Sequence, residues 1–243
     1  VAVPAPDLAV LRQLGERVRP LSAAAERTLP VPPALAELLP QGALVRGSTV
    51  ATAGTVATSL ALALAGPATV AGSWCAVVGV ADLGLVAAAE LGVDLGRTLV
   101  VDAPGPADWA PVVAALLDAV EVVLVRPGHP ITPTTRRRLV ARARERGSVL
   151  VQVGGRAGVW SERPDLTLTG GRARWEGIGA GHGCLRARRV EVEAVGRRGA
   201  DRPRAAALWL PGPDGAIARV DPVRAPVPVP APAPAAAPLR DAG

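Results

Sequence analysis

The sequence predicts an α/β fold: a mostly parallel sheet with helices on both faces, extended by antiparallel C-terminal strands. Three observations carry this. Between Gly42 and Val153, short apolar runs without alternation, such as CAVV from Cys75 and VVLV from Val122, take turns with helical patterns, and strands apolar on both sides belong to parallel sheets covered on both faces. After Gly154 the chain changes to short segments spaced by Gly-rich turns, the pattern of antiparallel strands. A length of 243 residues at 49% hydrophobic is enough for one large core.

Taken in order, residues 1–40 carry two short helical patterns, Leu8-Leu11-Leu14-Val18 and Ala34-Leu35-Leu38, split by Pro30 and Pro32-Pro33. They read as an N-terminal helical arm packed on a core of residues 41–221. Within that core, strands are expected near 45–53, 74–80, 98–101, 120–125 and 148–153. Helices are expected near 56–64, 83–91, 109–119 and 134–146, with Asp108 as the N-cap before Trp109. Gly66-Pro67 and Gly72 break the apolar stretch from Ala61 to Val80 into helix, turn and strand, so no segment reads as a membrane span. Further strands are expected near 166–169, 188–194, 205–210 and 217–220. The run GIGAGHG from Gly177 precedes a strand, so it reads as a hairpin turn; a dinucleotide fingerprint would have to open a helix. Residues 222–243 are Pro/Ala-rich and read as an extended, flexible tail.

The formal charge of +6 is carried wholly by Arg. Lys, Asn, Phe, Tyr and Met are all absent, and their codons are the ones rich in A and T. Arg therefore takes every surface role that Lys would share, and basicity by itself does not designate a nucleic-acid partner. Two cysteines, Cys75 and Cys184, exclude a disulfide framework and a four-thiolate zinc site. Cys75 sits in a strand-like run and reads as a buried small hydrophobe. No metal and no cofactor is expected. The N-terminus lacks the basic and apolar regions of a signal peptide, so a cytoplasmic protein is expected.

The segment GALVRGSTVATAGTVATSLAL from Gly42 has the strand–loop–helix rhythm of a phosphate-binding loop. Such a loop needs Gly-rich backbone to wrap the phosphates, a Lys for the β and γ oxygens, and a Ser/Thr for Mg²⁺. Here Gly54, Thr58 and Ser59 remain, the Lys is missing, and the loop is about three residues short. The reading is a nucleotide-binding scaffold that has lost its nucleotide. A second candidate is the helix bearing Arg136, Arg137, Arg138, Arg142, Arg144 and Arg146 against the single acid Glu145. It reads either as a docking face for phosphates or an acidic protein, or as a solvated helix. Trp160, in the loop from Gly154 to Asp165, either stacks on a base or covers the sheet edge. Trp74, Trp175 and Trp209 lie in strand-like contexts and read as structural. Interface hot spots favour Trp and Arg, so the strands near Trp209, the tail and the Arg-rich helix are the candidate partner surfaces.

The order of segments resembles the RecA/RadA ATPase core, and more closely the RecA-like ImuA′ proteins of high-GC bacteria, from about Leu39 to Val220. LPQGALVRGSTVATAG takes the place of the phosphate-loop strand. AGSWCAVVGVADLGLVAAAELGVDLGRTLVV follows it, and DWAPVVAALLDAVEVVLVRP stands where a strand would end in a magnesium-binding Asp. RRRLVARARERGSVLVQVG, RRVEVEAVGRRG and AALWLPGPDG complete the match. The resemblance implies a RecA-like P-loop NTPase-type core with a degenerate site, because the Asp is replaced by Arg126-Pro127 and the water-activating Glu by Gly79-Val80-Ala81, with Asp82 the only nearby carboxylate. It implies a non-catalytic adaptor in the SOS response, serving error-prone translesion synthesis. The partner would be an ImuB-like Y-family polymerase homologue, with a C-family error-prone polymerase and the sliding clamp reached indirectly. The alternatives are an ATP-independent single-stranded DNA-binding protein, using the Arg-rich helix and the strand Arg186–Arg189, and a residual ATPase.

Overall fold

The computed structural model describes residues 27–154, 163–179, 182–197 and 199–220. Its centre is a nine-stranded sheet built from β3 Thr49–Gly54, β4 Cys75–Val78, β5 Thr98–Val101, β6 Val122–Val125, β7 Val149–Val153, β8 Leu166–Gly179, β9 His182–Gly196, β10 Arg204–Trp209 and β11 Ala218–Arg219. Their order across the sheet is β11-β10-β9-β8-β3-β7-β6-β4-β5. All pairings from β8 through β3 to β5 are parallel, and those of β9 with β8 and β10, and of β10 with β11, are antiparallel. The fold is thus α/β, with a large, mostly parallel sheet and antiparallel C-terminal strands.

The helices are α1 Pro33–Ala36, α2 Ala57–Val70, α3 Leu85–Glu90, α4 Pro106–Ala119 and α5 Pro133–Arg146. Because successive strand residues face opposite sides, each apolar run feeds two cores. Cys75, Val77, Val122, Leu124, Val149 and Val151 pack with α2 and α3. Ala76, Val78, Val123, Val125 and Leu150 pack with Trp109, Leu116 and Leu117 of α4 and with Leu139 of α5. Residues 27–40 join the first core through Leu29, Leu35, Leu38 and Leu39. There Thr28–Leu29 (β1) pairs antiparallel with Leu44–Val45 (β2).

Element order follows the expectation, and the departures have local causes. The helix expected to stop before Gly66-Pro67 runs on as α2 to Val70. Gly66 is needed there because a Cβ would lie 2.9 Å from the Gly92 carbonyl oxygen, where the helix packs on the turn after α3. Asp108 is not the cap: Gly105 caps α4, Pro106 opens it, and Asp108 lies inside the first turn, where a carboxylate favours the helix dipole. The hairpin expected at the Gly-rich run is present, with Gly179 paired to His182 and Ile178 to Gly183. The expected helix at residues 8–18, Trp160 and the tail lie outside the described residues.

Candidate functional site at the carboxyl end of the parallel strands

Open α/β sheets place their ligand sites beyond the carboxyl ends of the strands, where the strand order reverses. In this chain β3 is followed by β4, three places away, and β6 and β7 later fill the gap. The carboxyl ends of β3, β4, β6 and β7 therefore bring together Gly54, Asp82, Arg126 and Val153 with the first turn of α2, which carries Thr58 and Ser59. Only Thr55 and Val56 separate β3 from α2, so the connection has no arc of backbone N–H groups to enclose a phosphate chain. Gly54 turns sharply, with φ +83, and a Cβ there would lie 1.9 Å from the Gly170 carbonyl oxygen. The strand, its turn and β8 are in backbone contact where a nucleotide loop would have to bulge.

Arg126 occupies the middle of this end. Its backbone N–H donates to the Val78 carbonyl at 2.9 Å, which continues the β6–β4 ladder by one residue. Its guanidinium then donates to Thr58 Oγ1 through Nη2, to the Asp82 carboxylate through Nη1, and to the Val153 carbonyl through Nε at 3.4 Å. One side chain thus ties α2, the loop after β4 and the end of β7 to β6. The backbone of Arg126 also explains Gly79. It has φ +73, and a Cβ would sit 2.5 Å from the Arg126 carbonyl oxygen, so no Glu side chain fits at that position.

A second guanidinium holds the neighbouring hydroxyl. Arg188 of β9 donates from Nη2 to Ser59 Oγ at 2.8 Å and from Nε to the Leu210 carbonyl at 2.6 Å. It lies 5.0 Å over the Trp175 ring, a cation–π contact. Burial lowers its pKa from the usual arginine value because the charged form loses hydration. Thr58 and Ser59, the two hydroxyls that the sequence offers after Gly54, are both engaged by arginines of the chain itself.

The six arginines of α5 are divided by their surroundings. Arg136 is buried, donating from Nε to the Thr132 carbonyl at 3.4 Å, and its Nη1 has no partner among the described residues. Arg142 and Arg146 clamp Asp118 of α4, the first through two hydrogen bonds and the second at 3.0 Å. Hydrogen bonding to Asp118 raises the Arg142 pKa above its usual value. Arg144 lies 3.7 Å from buried Asp165, which also accepts from the Thr49 backbone and hydroxyl and pairs with Arg197. Arg137 also has a partner. Arg138 is exposed and makes no contact of this kind among the described residues. Asp118 and Asp165, arriving from outside α5, thus consume much of the charge that the sequence shows on this helix.

Of the tryptophans, Trp109 is 1% exposed and meets the His129 ring edge-on at 5.9 Å. Trp209 is half-buried on β10, opposite Arg189 of β9. Trp175 is 42% exposed, which its strand-like context did not indicate. The pairing of Arg126 with Thr58 and of Arg188 with Ser59 was also missed, since 68 and 129 residues separate the partners. No three His, Cys, Asp or Glu side chains among the described residues are placed to share a metal ion. None of the described helices is long and apolar enough to cross a membrane.

Residues 37–161, a span that takes in β2 through β7, match the model of the MT3502 N-terminal domain. Over 100 residues the chain is 42% identical to "Uncharacterized protein Rv3395c" of Mycobacterium tuberculosis (strain ATCC 25618 / H37Rv). The match covers 41% of this chain and 48% of that protein, so the chain spans about half the length of this curated relative. The family match takes in β3, the first turn of α2, Asp82 and Arg126 together, and on that match the chain belongs to the MT3502 N-terminal domain family.

Proposed function

We propose that this chain is a non-catalytic RecA-like adaptor of the ImuA′ type. In this reading it acts in the cytoplasm in damage-induced, error-prone translesion synthesis, and it binds an ImuB-like Y-family polymerase homologue. A C-family error-prone polymerase and the sliding clamp are reached through that partner. Residues 41–221 form the RecA-like core, flanked by the arm of residues 1–40 and the tail of residues 222–243.

The observation that carries this reading is Arg126 bonded at once to Thr58 and Asp82. A magnesium ion bound to nucleotide needs oxygen ligands that are free, and phosphoryl transfer needs that ion to neutralise charge developing on the phosphate. Here the hydroxyl and the carboxylate already serve a fixed cation of the chain, which also repels a second one. The arrangement holds the elements of the sheet end in place without a nucleotide, as a docking scaffold requires. The similarity to a mycobacterial protein is in keeping with a high-GC bacterial adaptor.

Co-purification of the full chain with the ImuB-like protein of the same genome, with and without ATP and Mg²⁺, tests the reading. Capture is expected to be equal in both conditions, with no magnesium-dependent ATP shift in Tm. Replacing Arg126 by Asp is expected to lower Tm, by setting two carboxylates side by side, and still to restore no ATP response. A magnesium-dependent Tm shift or measured turnover in the native chain refutes the non-catalytic reading. Capture that fails only for a chain ending at Asp221 assigns the contact to the tail.

A further inference from the structure

The antiparallel pair β8–β9 continues beyond its neighbours. β3 accompanies β8 only as far as Gly170, and β10 accompanies β9 only from Ala194 to Arg189. Past these points the two strands form a ribbon that projects from the same end of the sheet as the plugged site. The ribbon carries Arg172, Arg174, Arg186, Arg188 and Arg189 against one acid, Glu176. Arg174 stands directly opposite Arg189, an arrangement that costs stability because like charges share one face. Unlike the arginines of α5 other than Arg138, Arg172, Arg174, Arg186 and Arg189 have no hydrogen bond or ion pair among the described residues. The bias toward Arg in this sequence applies to both elements, so it does not account for the difference between them.

Beside the ribbon, Thr55, Gly171, Arg172, Ala173, Trp175 and Arg188 line an open hollow of about 520 Å³. It has a half-exposed indole for a wall and guanidiniums at its rim. Nearer the tip, Ile178 and Leu185 are 59% and 52% exposed. Unpaired guanidiniums on a projecting ribbon suit a phosphate backbone, and a planar wall in a hollow suits an unstacked base. In a duplex the bases are stacked on one another and cannot enter such a hollow.

We infer that the β8–β9 ribbon binds single-stranded nucleic acid, with a base in the hollow against Trp175, Arg172 on the phosphate beside it, and Arg174 and Arg189, which face the other side of the ribbon, on the phosphates where the strand passes around the β8 edge left free beyond Gly170. This assignment does not depend on the adaptor reading, since it concerns the chain alone. Of the two surfaces that the sequence offered for nucleic acid, the Arg-rich helix and the strand Arg186–Arg189, it keeps the strand, adds β8 beside it and drops the helix.

The test is fluorescence anisotropy of the full chain with a labelled oligothymidylate of about 16 nucleotides, between about 50 and 200 mM salt. Arg174→Glu is expected to weaken binding about tenfold or more and to flatten the log–log salt slope by about 0.7 for each phosphate that is no longer neutralised. Its Tm should be unchanged or higher, because a carboxylate then faces Arg189; a binding defect is thereby separated from a folding defect. Trp175→Ala should weaken binding about tenfold and leave the salt slope unchanged. Arg138→Glu, on α5, should leave affinity within about twofold of the native chain. The assignment is overturned if the full chain does not bind the oligonucleotide at the lowest salt. Equal weakening by Arg174→Glu and Arg138→Glu overturns it as well, as does a preference for the duplex. Capture of a polymerase partner is unaffected by any of these results, so this inference and the adaptor reading fail separately.

Discussion

Cys75 and Cys184 share a chemistry and differ in everything around it. Cys75 lies buried on β4, between β6 and the edge strand β5, and burial away from water pushes its thiol pKa from 9.0 up to about 12. Cys184 is exposed on the ribbon. The chain has neither Lys nor Tyr, whose titration would otherwise overlap that of the Cys75 thiol. The native state holds the Cys75 proton more tightly than the unfolded chain does. The resulting stability is fully present below pH 9.0 and is lost as pH rises through about 12. Urea midpoints measured across that window should therefore fall more steeply for the native chain than for Cys75→Ala; parallel slopes would contradict the shifted thiol. At neutral pH iodoacetamide should label Cys184 in the folded protein and spare Cys75.

At the scale of elements, the turn from β3 into α2 shows how a backbone contact replaces a ligand loop. Gly54 has a positive φ and a backbone oxygen where its Cβ would be, so no rotamer change relieves a substitution. Gly54→Ala should cost about 3 kcal/mol or more, from strain and overpacking together. Gly72 supplies the contrast, because its φ is +101 with nothing within 4 Å of a Cβ. Gly72→Ala should cost only about 1 kcal/mol, the conformational part alone. Urea denaturation of the two variants gives the comparison, and equal costs would mean that the β3–β8 contact yields. The helices show the same limit on local reading. The spacing of Leu139, Val140 and Ala143 marks the buried stripe of α5 correctly, but it does not show that Asp118 and Asp165 arrive from elsewhere in the chain to neutralise three of its arginines. A Pro inside α2 removes one backbone hydrogen bond, a cost that burial of Leu60, Leu62 and Leu64 against the sheet offsets.

For the whole molecule, one sheet serves two hydrophobic cores, and β4, β6 and β7 each contribute alternate residues to both. Neither core can open without exposing strands that the other needs, so unfolding should be a single transition. Far-UV circular dichroism and Trp fluorescence are expected to give coincident urea curves. Trp109→Ala, which empties the α4 side, should lower both midpoints together, at a cost of about 3–5 kcal/mol; a curve that splits in two would show the cores to be separable.

The sequence by itself determined the α/β class, the order of strands and helices, the hairpin at the Gly-rich run and the absence of a phosphate-loop lysine. These follow from periodicity, turn residues and residue identity, which are properties of neighbours along the chain. Only the tertiary structure decided that Arg126 meets Thr58 and Asp82, that Arg188 takes Ser59, and that the unpaired charge is concentrated on the β8–β9 ribbon, with Arg138 left on α5. Those outcomes depend on strand order and register, which join residues 44, 68 and 129 positions apart. An arginine's sequence neighbours do not show whether it ends beside a carboxylate or in water, because the carboxylate comes from another element.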